Sequence, residues 1–287
     1  MGDITTAFVK QFGTNLEALV QQKGSRLRNA VRIETGITGE EAYFDQLAST
    51  AAQKKTTRNS DTPLVKSDHK RRRVAMYDYE WADLIDKEDQ LKMLIDPKSM
   101  YTQNAAWALG RAIDDAIIEA FDATAYTGKA GGTSTSFTAG NIIAAGGAGL
   151  TINKLISAKE LLDEGESDPQ EERYIVCTAN QITDLLKTTE IKSADYNTVR
   201  ALVQGQIDTF LGFKFIRSER LTVDTSSYRE VMAYVKSGML LAISKEIATR
   251  IDERADKSYA TQVYASMGIG STRMEEAKCV QILCSES

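Results

Sequence analysis

The stretch 96–124, D-P-K-S-M-Y-T-Q-N-A-A-W-A-L-G-R-A-I-D-D-A-I-I-E-A-F-D-A-T, narrows the choice of folds more than any other part of the chain. Asp96 can cap a helix through its carboxylate, and Pro97 fits the first helical position, where no donor is missed. Ala105, Ala106, Leu109, Ala112, Ile113, Ala116 and Ala120 then recur on one face at helical spacing. The spacing predicts a helix over 97–121, roughly 37 Å long and well beyond the usual length. An inward stripe made largely of alanine lets a sheet or a second helix come close to the backbone. Trp107 and Ile118 fall on the opposite face, which implies cover on more than one side. Such a helix reads as a spine on which other elements are arranged.

Its outer surface carries an oddity. Asp114, Asp115, Glu119 and Asp122 crowd the C-terminal half, where the helix dipole disfavours negative charge. Arg111 precedes Asp114 and Asp115 by three and four positions, the less favourable order for such pairs. Two readings stay open: a solvated acidic face, or a surface on which something basic from elsewhere is laid.

At 287 residues the chain suits one large or two modest domains, and its 42% hydrophobic and 26% charged content is that of a globular protein. The net charge of −5 argues against a surface that grips nucleic acid all over. Cys177, Cys279 and Cys284 are odd in number and form no C-x-x-C motif, so reduced thiols in a cytosol-like medium are expected. The start M-G-D-I-T-T-A-F lacks the basic and apolar regions of a signal peptide and matches a myristoylation signal only weakly. No apolar run approaches the ~20 residues of a membrane span, and no membrane partner is expected.

Residues 1–33 read as an arm, with an amphipathic segment in 5–22 (Phe8, Phe12, Leu16, Leu19, Val20) and a basic stretch at Lys23, Arg26, Arg28 and Arg32. In 34–80, Tyr43, Phe44 and Leu47 begin one strand, and 73–80 alternates as another. Between 50 and 75 lie Lys54, Lys55, Arg58, Lys66, Lys70, Arg71, Arg72 and Arg73, opposed only by Asp61 and Asp68. Two strands closed by a long polar tip make an extended hairpin with little core of its own, so it is expected to rest on another chain. The Gly-, Ser-, Thr- and Ala-rich region 126–150 reads as loop.

An α/β stretch follows: a helix over 151–162 capped by Thr151 and ended at Gly165, strands at 174–177, 213–216 and 231–235, a helix at 180–187, and partial helix in 199–211. Seven acids and no base occupy 160–172 (Glu160, Asp163, Glu164, Glu166, Asp168, Glu171, Glu172), either a solvated loop or an acidic contact surface. The end of the chain is β: Ile247, Thr249 and Ile251 alternate, A-D-K turns, Tyr259 to Met267 alternate again, and Val280, Ile282 and Cys284 form a third strand. This last sheet is expected to pack on elements that precede the α/β stretch, chiefly the alanine face of the spine.

Catalytic chemistry is sought without success. His69, within H-K-R-R-R, is the single histidine, and neither G-x-S-x-G nor a zinc-ligand spacing occurs. Gly128-Lys129 lacks the rest of a phosphate loop, and 147–152 ends on Ile152 where a dinucleotide motif needs glycine. Asp114 and Asp115 are adjacent, so on a helix they point about 100° apart. No catalytic residue, cofactor or metal is expected. The run 70–73 could meet phosphate, but its place in a hairpin of an acidic protein favours an acidic patch on a neighbouring subunit.

Taken together, H-K-R-R-R-V-A-M-Y-D-Y-E-W-A-D-L-I-D, the spine sequence, L-G-F-K-F-I-R-S-E-R-L at 211–221, and I-A-T-R-I-D-E-R followed by G-I-G-S-T-R-M-E-E resemble the major capsid protein of tailed bacteriophages, whose fold is shared with encapsulins. The resemblance lies in order along nearly the whole chain rather than in one motif. It implies an α+β fold with an N-terminal arm (1–33), an extended β-hairpin loop (34–80), a peripheral domain of spine helix on antiparallel sheet (81–145 and 237–287), and an inserted α/β axial domain (146–236). It also implies a structural role: hexamers and pentamers that tile an icosahedral virion capsid around double-stranded DNA without sequence-specific binding, assembled in the bacterial host cytoplasm. A scaffolding protein (separate, since no long N-terminal extension is present), a portal protein and a decoration protein are the implied partners.

The candidate contacts between subunits are Lys54, Lys55, Arg58, Lys66, Arg71, Arg72 and Arg73 on the basic side and Asp114, Asp115, Glu119, Asp163, Glu164 and Glu166 on the acidic side. Some relatives weld subunits by a Lys–Asn isopeptide bond. Lysines are present at 54, 55 and 66, but no asparagine follows Asn197, so a non-covalent shell is expected. An encapsulin-like compartment around a cargo protein is the alternative, and a nucleotide-binding α/β enzyme is disfavoured by the failed glycine motifs.

Overall fold

A computed structural model describes residues 21–58, 61–62, 64–86, 98–187 and 209–286. In chain order its elements are β1 (Arg32–Thr35), β2 (Glu41–Leu47), β3 (His69–Ala75), β4 (Tyr77–Ile85), α1 (Lys98–Asp122), β5 (Ala125–Thr127), β6 (Thr133–Thr135), β7 (Ile142–Ile143), α2 (Ile152–Glu164), β8 (Arg173–Cys177), α3 (Ala179–Lys187), β9 (Thr209–Phe210), β10 (Phe213–Arg217), β11 (Tyr228–Val235), β12 (Met239–Arg254), β13 (Ala260–Arg273) and β14 (Cys279–Ser285). The strands form three sheets, in the orders β1-β12-β13-β4, β7-β14-β11-β8-β10-β9 and β2-β3-β5-β6.

The spine helix is α1, 25 residues long. Ala105, Leu109, Ile113, Ile117 and Phe121 recur every four residues and are buried, while Ala112, Ala116 and Ala120 pack beside them half-buried. This face lies on β13, β4 and β12. Ile118 is buried too, as a helix covered on more than one side requires. The expected cap at Asp96 and Pro97, the amphipathic segment of the arm before residue 21, and the helical reading of 199–208 lie outside the described residues.

The chain changes sheets at places its alternation does not mark. The expected strand 73–80 is two strands, because at Met76 the chain passes from the hairpin sheet to the spine's sheet, and Met76 N–H donates to Glu40 O at 2.9 Å. The hairpin therefore ends at 75 rather than 80. Gly270 of β13 permits this crossing, since a Cβ there would lie 2.2 Å from Ala75 O. A small cluster of Val74, Leu240, Ala242 and Met274 seals the hairpin's inner end.

The region read as loop after the spine contributes β5 and β6 to the hairpin sheet and β7 to the large sheet. Residues 32–35, assigned to the arm and loop, pair parallel with β12 instead. The final strand also departs from expectation. β14 pairs with β11 along 228–234 rather than joining the sheet beneath the spine. It is buried over most of its length because α2 covers it.

The inserted α/β unit forms largely as its sequence implies. Thr151 Oγ1 accepts from Lys154 N–H at 3.3 Å, and α2 closes at Gly165 with φ −70°, so no left-handed residue is needed there. The Lys154 ammonium lies among Ala145 O, Ala148 O, Gly149 O and Leu283 O at 2.9, 2.8, 2.9 and 2.9 Å. It thereby ties the linker into this unit to the last strand, and burial holds its pKa below the ordinary lysine value. All three thiols are buried, which pushes each up to about 12 and leaves them unreactive.

The end of the chain is held by charge. Glu286 accepts from Arg229 Nε and Nη2, both at 2.9 Å, and from Gln181 at 3.0 Å. These bonds, led by Arg229, draw its carboxyl from 4.5 down to about 2. A depressed carboxyl contributes stability that is present above its unfolded pKa and lost as pH falls through its folded one. Thermal unfolding of the wild type should therefore lose a component between about pH 4.5 and 2. In Arg229→Ala that component should shrink, since only the weaker bonds such as Gln181's remain, and superimposable pH profiles for the two proteins would show that the tether contributes nothing.

Candidate assembly interface

The acidic half of α1 is largely answered from within the chain. Asp114 was read as part of an outer surface; it is fully buried beneath the segment 22–28. Its carboxylate accepts from Ser25 Oγ at 2.5 Å, from Arg26 N–H at 3.0 Å, from Leu27 N–H at 3.0 Å, and from the Gln22 amide. This geometry needs a chain crossing the helix. Gly110 provides the crossing point, since a Cβ there would meet Gly24 Cα at 2.7 Å, and Gly24 itself has φ +78°. Arg111 adds bonds to Gln21 Oε1 and Gln22 O at 2.9 and 3.0 Å, and Lys23 Nζ stands 5.3 Å from the Trp107 ring centre. The segment 22–28 is thus held at a fixed point on the spine.

Two more arginines reach the same helix. Arg220, from the loop after β10, forms a two-bonded ion pair with Asp115. Arg273, fully buried at the end of β13, donates to Phe121 O and Ala123 O at the C-terminus of α1 and stacks 4.9 Å from the Phe137 ring centre. The expectation of something basic against this end is met by the chain itself. Glu119 alone among the three candidates on this helix is exposed and without an ion pair among the described residues.

The hairpin divides in the same way. Arg71 pairs across the strands with Asp45 at 2.6 Å and lies 5.8 Å from the Tyr43 ring centre, and Arg73 pairs with Glu41 at 2.9 Å and stacks 4.6 Å from the Tyr126 ring centre. The bond from Arg71 holds the Asp45 carboxyl below its usual range. Arg72 points inward, 3% exposed, and donates to Met274 O at 2.7 Å and to Glu276 Oε1 at 3.0 Å. These three arginines were read as free to meet a neighbour; alternation along β3 sends one into the core and lays the other two on cross-strand acids.

Beyond the pair Ala48 N–H to Asp68 O, 2.9 Å, the described residues carry no strand until β3. Here Lys54, Lys55, Arg58 and Lys66 are exposed with no ion pair among the described residues, and Leu64 is 92% exposed.

On α2, Asp163 pairs with the buried Arg173 at 2.6 Å, and Glu172 is held by Lys214, Lys236 and Tyr174, which draw its carboxyl down to about 2. Glu160, Glu164, Glu166 and Asp168 remain exposed. Sequence reasoning missed Arg273, Glu276, Arg220 and Gln22. A signal existed for the first two: an arginine inside the small and apolar run 265–274 can be buried only with a partner, and E-E follows it directly. Nothing in the sequence near Arg220 pointed to Asp115.

His69 is exposed, and among the described residues no three His, Cys, Asp or Glu side chains stand close enough to hold a metal ion. No helix among them is long and apolar enough to cross a membrane. What the described residues build instead is a spine helix on a four-stranded sheet, a second α/β unit on a six-stranded sheet, and a hairpin in a third sheet. That is the architecture of a capsid-shell subunit.

The sequence family described as phage capsid protein matches residues 4–286, and the chain belongs to it: this is a structural subunit of a phage capsid. Its fold is similar to the capsid of Ralstonia phage GP4 (TM-score 0.76, 11% identity, covering 100% of this chain and 97% of that one). It is likewise similar to the capsid of cyanophage P-SCSP1u (0.74, 15%, 98% and 94%) and to a chain of Mycobacterium phage Che8 (0.69, 16%, 96% and 97%). No curated protein sequence matches it.

Replacing Asp114 by alanine would strand the Ser25 hydroxyl, two backbone N–H groups and the Gln22 amide in a buried place. We expect a loss of about 3 kcal/mol in unfolding free energy. Trypsin should also gain access at Lys23, Arg26 and Arg28, read by mass spectrometry of brief digests. An unchanged cleavage map would mean that the strap is held by something other than Asp114.

Proposed function

We propose that copies of this chain form the hexamers and pentamers of an icosahedral shell around double-stranded DNA, which they contact without sequence preference. Assembly takes place in the bacterial host cytoplasm with a separate scaffolding protein and a portal protein, and the finished shell can take a decoration protein. The unit built on β7–β11 and β14 is the axial domain at each capsomer's symmetry axis, and α1 with its sheet is the peripheral domain. The observation that carries this reading is the segment 48–68, whose described residues form no strand and leave Leu64 92% and Val65 46% exposed. Long strandless segments in compact proteins have a binding role or an external cover. An identical neighbour supplies that cover.

The tip's four cations lie over acidic surface of the adjacent subunit, either the spine face at Glu119 or the run 160–172. Each exposed pair contributes only about 0–1 kcal/mol, but the contact recurs at every subunit of a closed shell, where it fixes register. Changing Lys54, Lys55, Arg58 and Lys66 together to glutamate should leave the purified subunit's circular dichroism and melting temperature unaltered. Particle yield by negative-stain microscopy should fall by roughly tenfold or more. Full yield from the variant would remove the tip from the assembly contact.

The shell is held without covalent welding, because no asparagine follows Asn197. Mature particles should run as a single band of about 31.6 kDa on a denaturing gel. A ladder of oligomers there would refute this.

A further inference from the structure

The inner end of the hairpin, the β5–β6 turn, the end of α2 and the turn after β13 enclose a groove of 1020 Å³. Arg72 lies beneath it. Its Nε and Nη2 are taken up by Met274 O and Glu276, while Nη1 is buried without a partner. Arg273 stands 3.5 Å from the same Glu276. Two buried guanidiniums therefore share one carboxylate, and the rest of what meets the second is uncharged: the Phe121, Ala123 and Thr135 carbonyls and the Phe137 ring. Buried cations without full compensation raise the local potential and attract negative charge.

The rim continues the imbalance. Lys70 and Lys129 are exposed, and neither has a carboxylate partner among the described residues. Lys278 is already paired with Glu275 at 3.3 Å, and Asp45 with Arg71. Of the acids lining the groove, only Glu166 is left unpaired. The groove is thus a polar socket with buried positive charge below and two reachable ammonium groups above.

We infer that this groove receives acidic side chains from the 160–168 run of a second copy of the chain. Glu160 and Glu164 sit one helical turn apart on α2, exposed and outside every ion pair of the described residues, so both can be offered from one face. The inference rests on the proposed shell and deepens it. The hairpin's inner end takes the 160–168 acids, which leaves the spine face at Glu119 for the tip. It also gives the contact a direction, since Glu160 and Glu164 do not line the socket, although Glu166 of the same run does, and a contact between unlike patches can close a ring.

The test pairs Lys70→Glu with Lys129→Glu in one chain and compares it with wild type assembled in parallel. Both residues are exposed, so the free subunit's melting temperature should not change. Shell yield should fall at least about tenfold through like-charge contact. Adding Glu160→Lys and Glu164→Lys to the same chain should restore most of it. Undiminished yield from the rim variant overturns the inference, and so does impairment that the compensating pair fails to rescue. Shells that form normally but hold less DNA would assign the groove to phosphate and overturn it as well. A wild type that forms no shells at all would instead refute the proposed function, and the socket's occupant with it.

Discussion

One carboxylate, Glu276, stands against two guanidiniums that water scarcely reaches, and much of the subunit's geometry follows from that arrangement. Arg273 comes from the end of β13 and caps the end of α1; Arg72 comes from β3, in a different sheet; Glu276 sits in the turn that leads to β14, in a third. A buried arginine that loses its partners costs several kcal/mol. None of the three sheets can therefore be displaced without stranding a charge. The hairpin is fixed at its inner end by this cluster and by the small apolar group around Val74, and among the described residues of 48–68 no strand continues it outward.

The same accounting sorts the charges by task. Those that alternation or helix geometry brings near a partner, such as Asp114 under its strap, Asp115 with Arg220, and Arg71 with Asp45, set the internal shape. Exposed pairs of this kind contribute little stability individually, and their use is to fix where the arm and hairpin leave the body. Among the exposed charges left over, Lys54, Lys55, Arg58 and Lys66 gather on the hairpin's outer part, Lys70 and Lys129 on the groove rim, and Glu160, Glu164, Glu166 and Asp168 at the end of α2. Segregated charge of this sort directs association more than it strengthens it.

Local periodicity carried most of the secondary structure. The alanine-rich helix, the Thr151 cap, and the long β12 and β13 with their A-D-K turn were legible because each depends on neighbours a few residues apart. What was not legible was long-range partnership. The alternation of 73–80 runs unbroken through Met76, where the chain changes sheets, since a strand's pattern does not say which sheet it joins. The same holds for β14, whose apolar residues would suit either sheet and whose choice is made by α2 lying over it. Acids on the helix read as surface because aspartate is rarely buried. Asp114 is the exception, as the receptor for a chain 87 to 92 residues away in sequence.

The outer half of β12 shows how a subunit made to associate avoids doing so at random. Beyond Ile243, where β1 ends, this strand is hydrogen-bonded to another strand on one side only among the described residues, so within them residues 245–254 form an edge. Such an edge invites any extended chain to pair with it. Here the edge carries Lys245, Glu246, Arg250, Asp252, Glu253 and Arg254, with register shifts between Ile243 and Ala248 that twist it out of line. Charges of both signs and an irregular register are the usual guards against indiscriminate strand addition. The hairpin tip is guarded differently, by a cationic excess around Leu64 and Val65 in which Lys54, Lys55, Arg58 and Lys66 outnumber Asp61 and Asp68. Tips of like charge repel one another while their apolar residues remain available to a surface of opposite sign. An edge closed to all comers and a tip closed only to its own kind are what ordered growth from identical pieces requires.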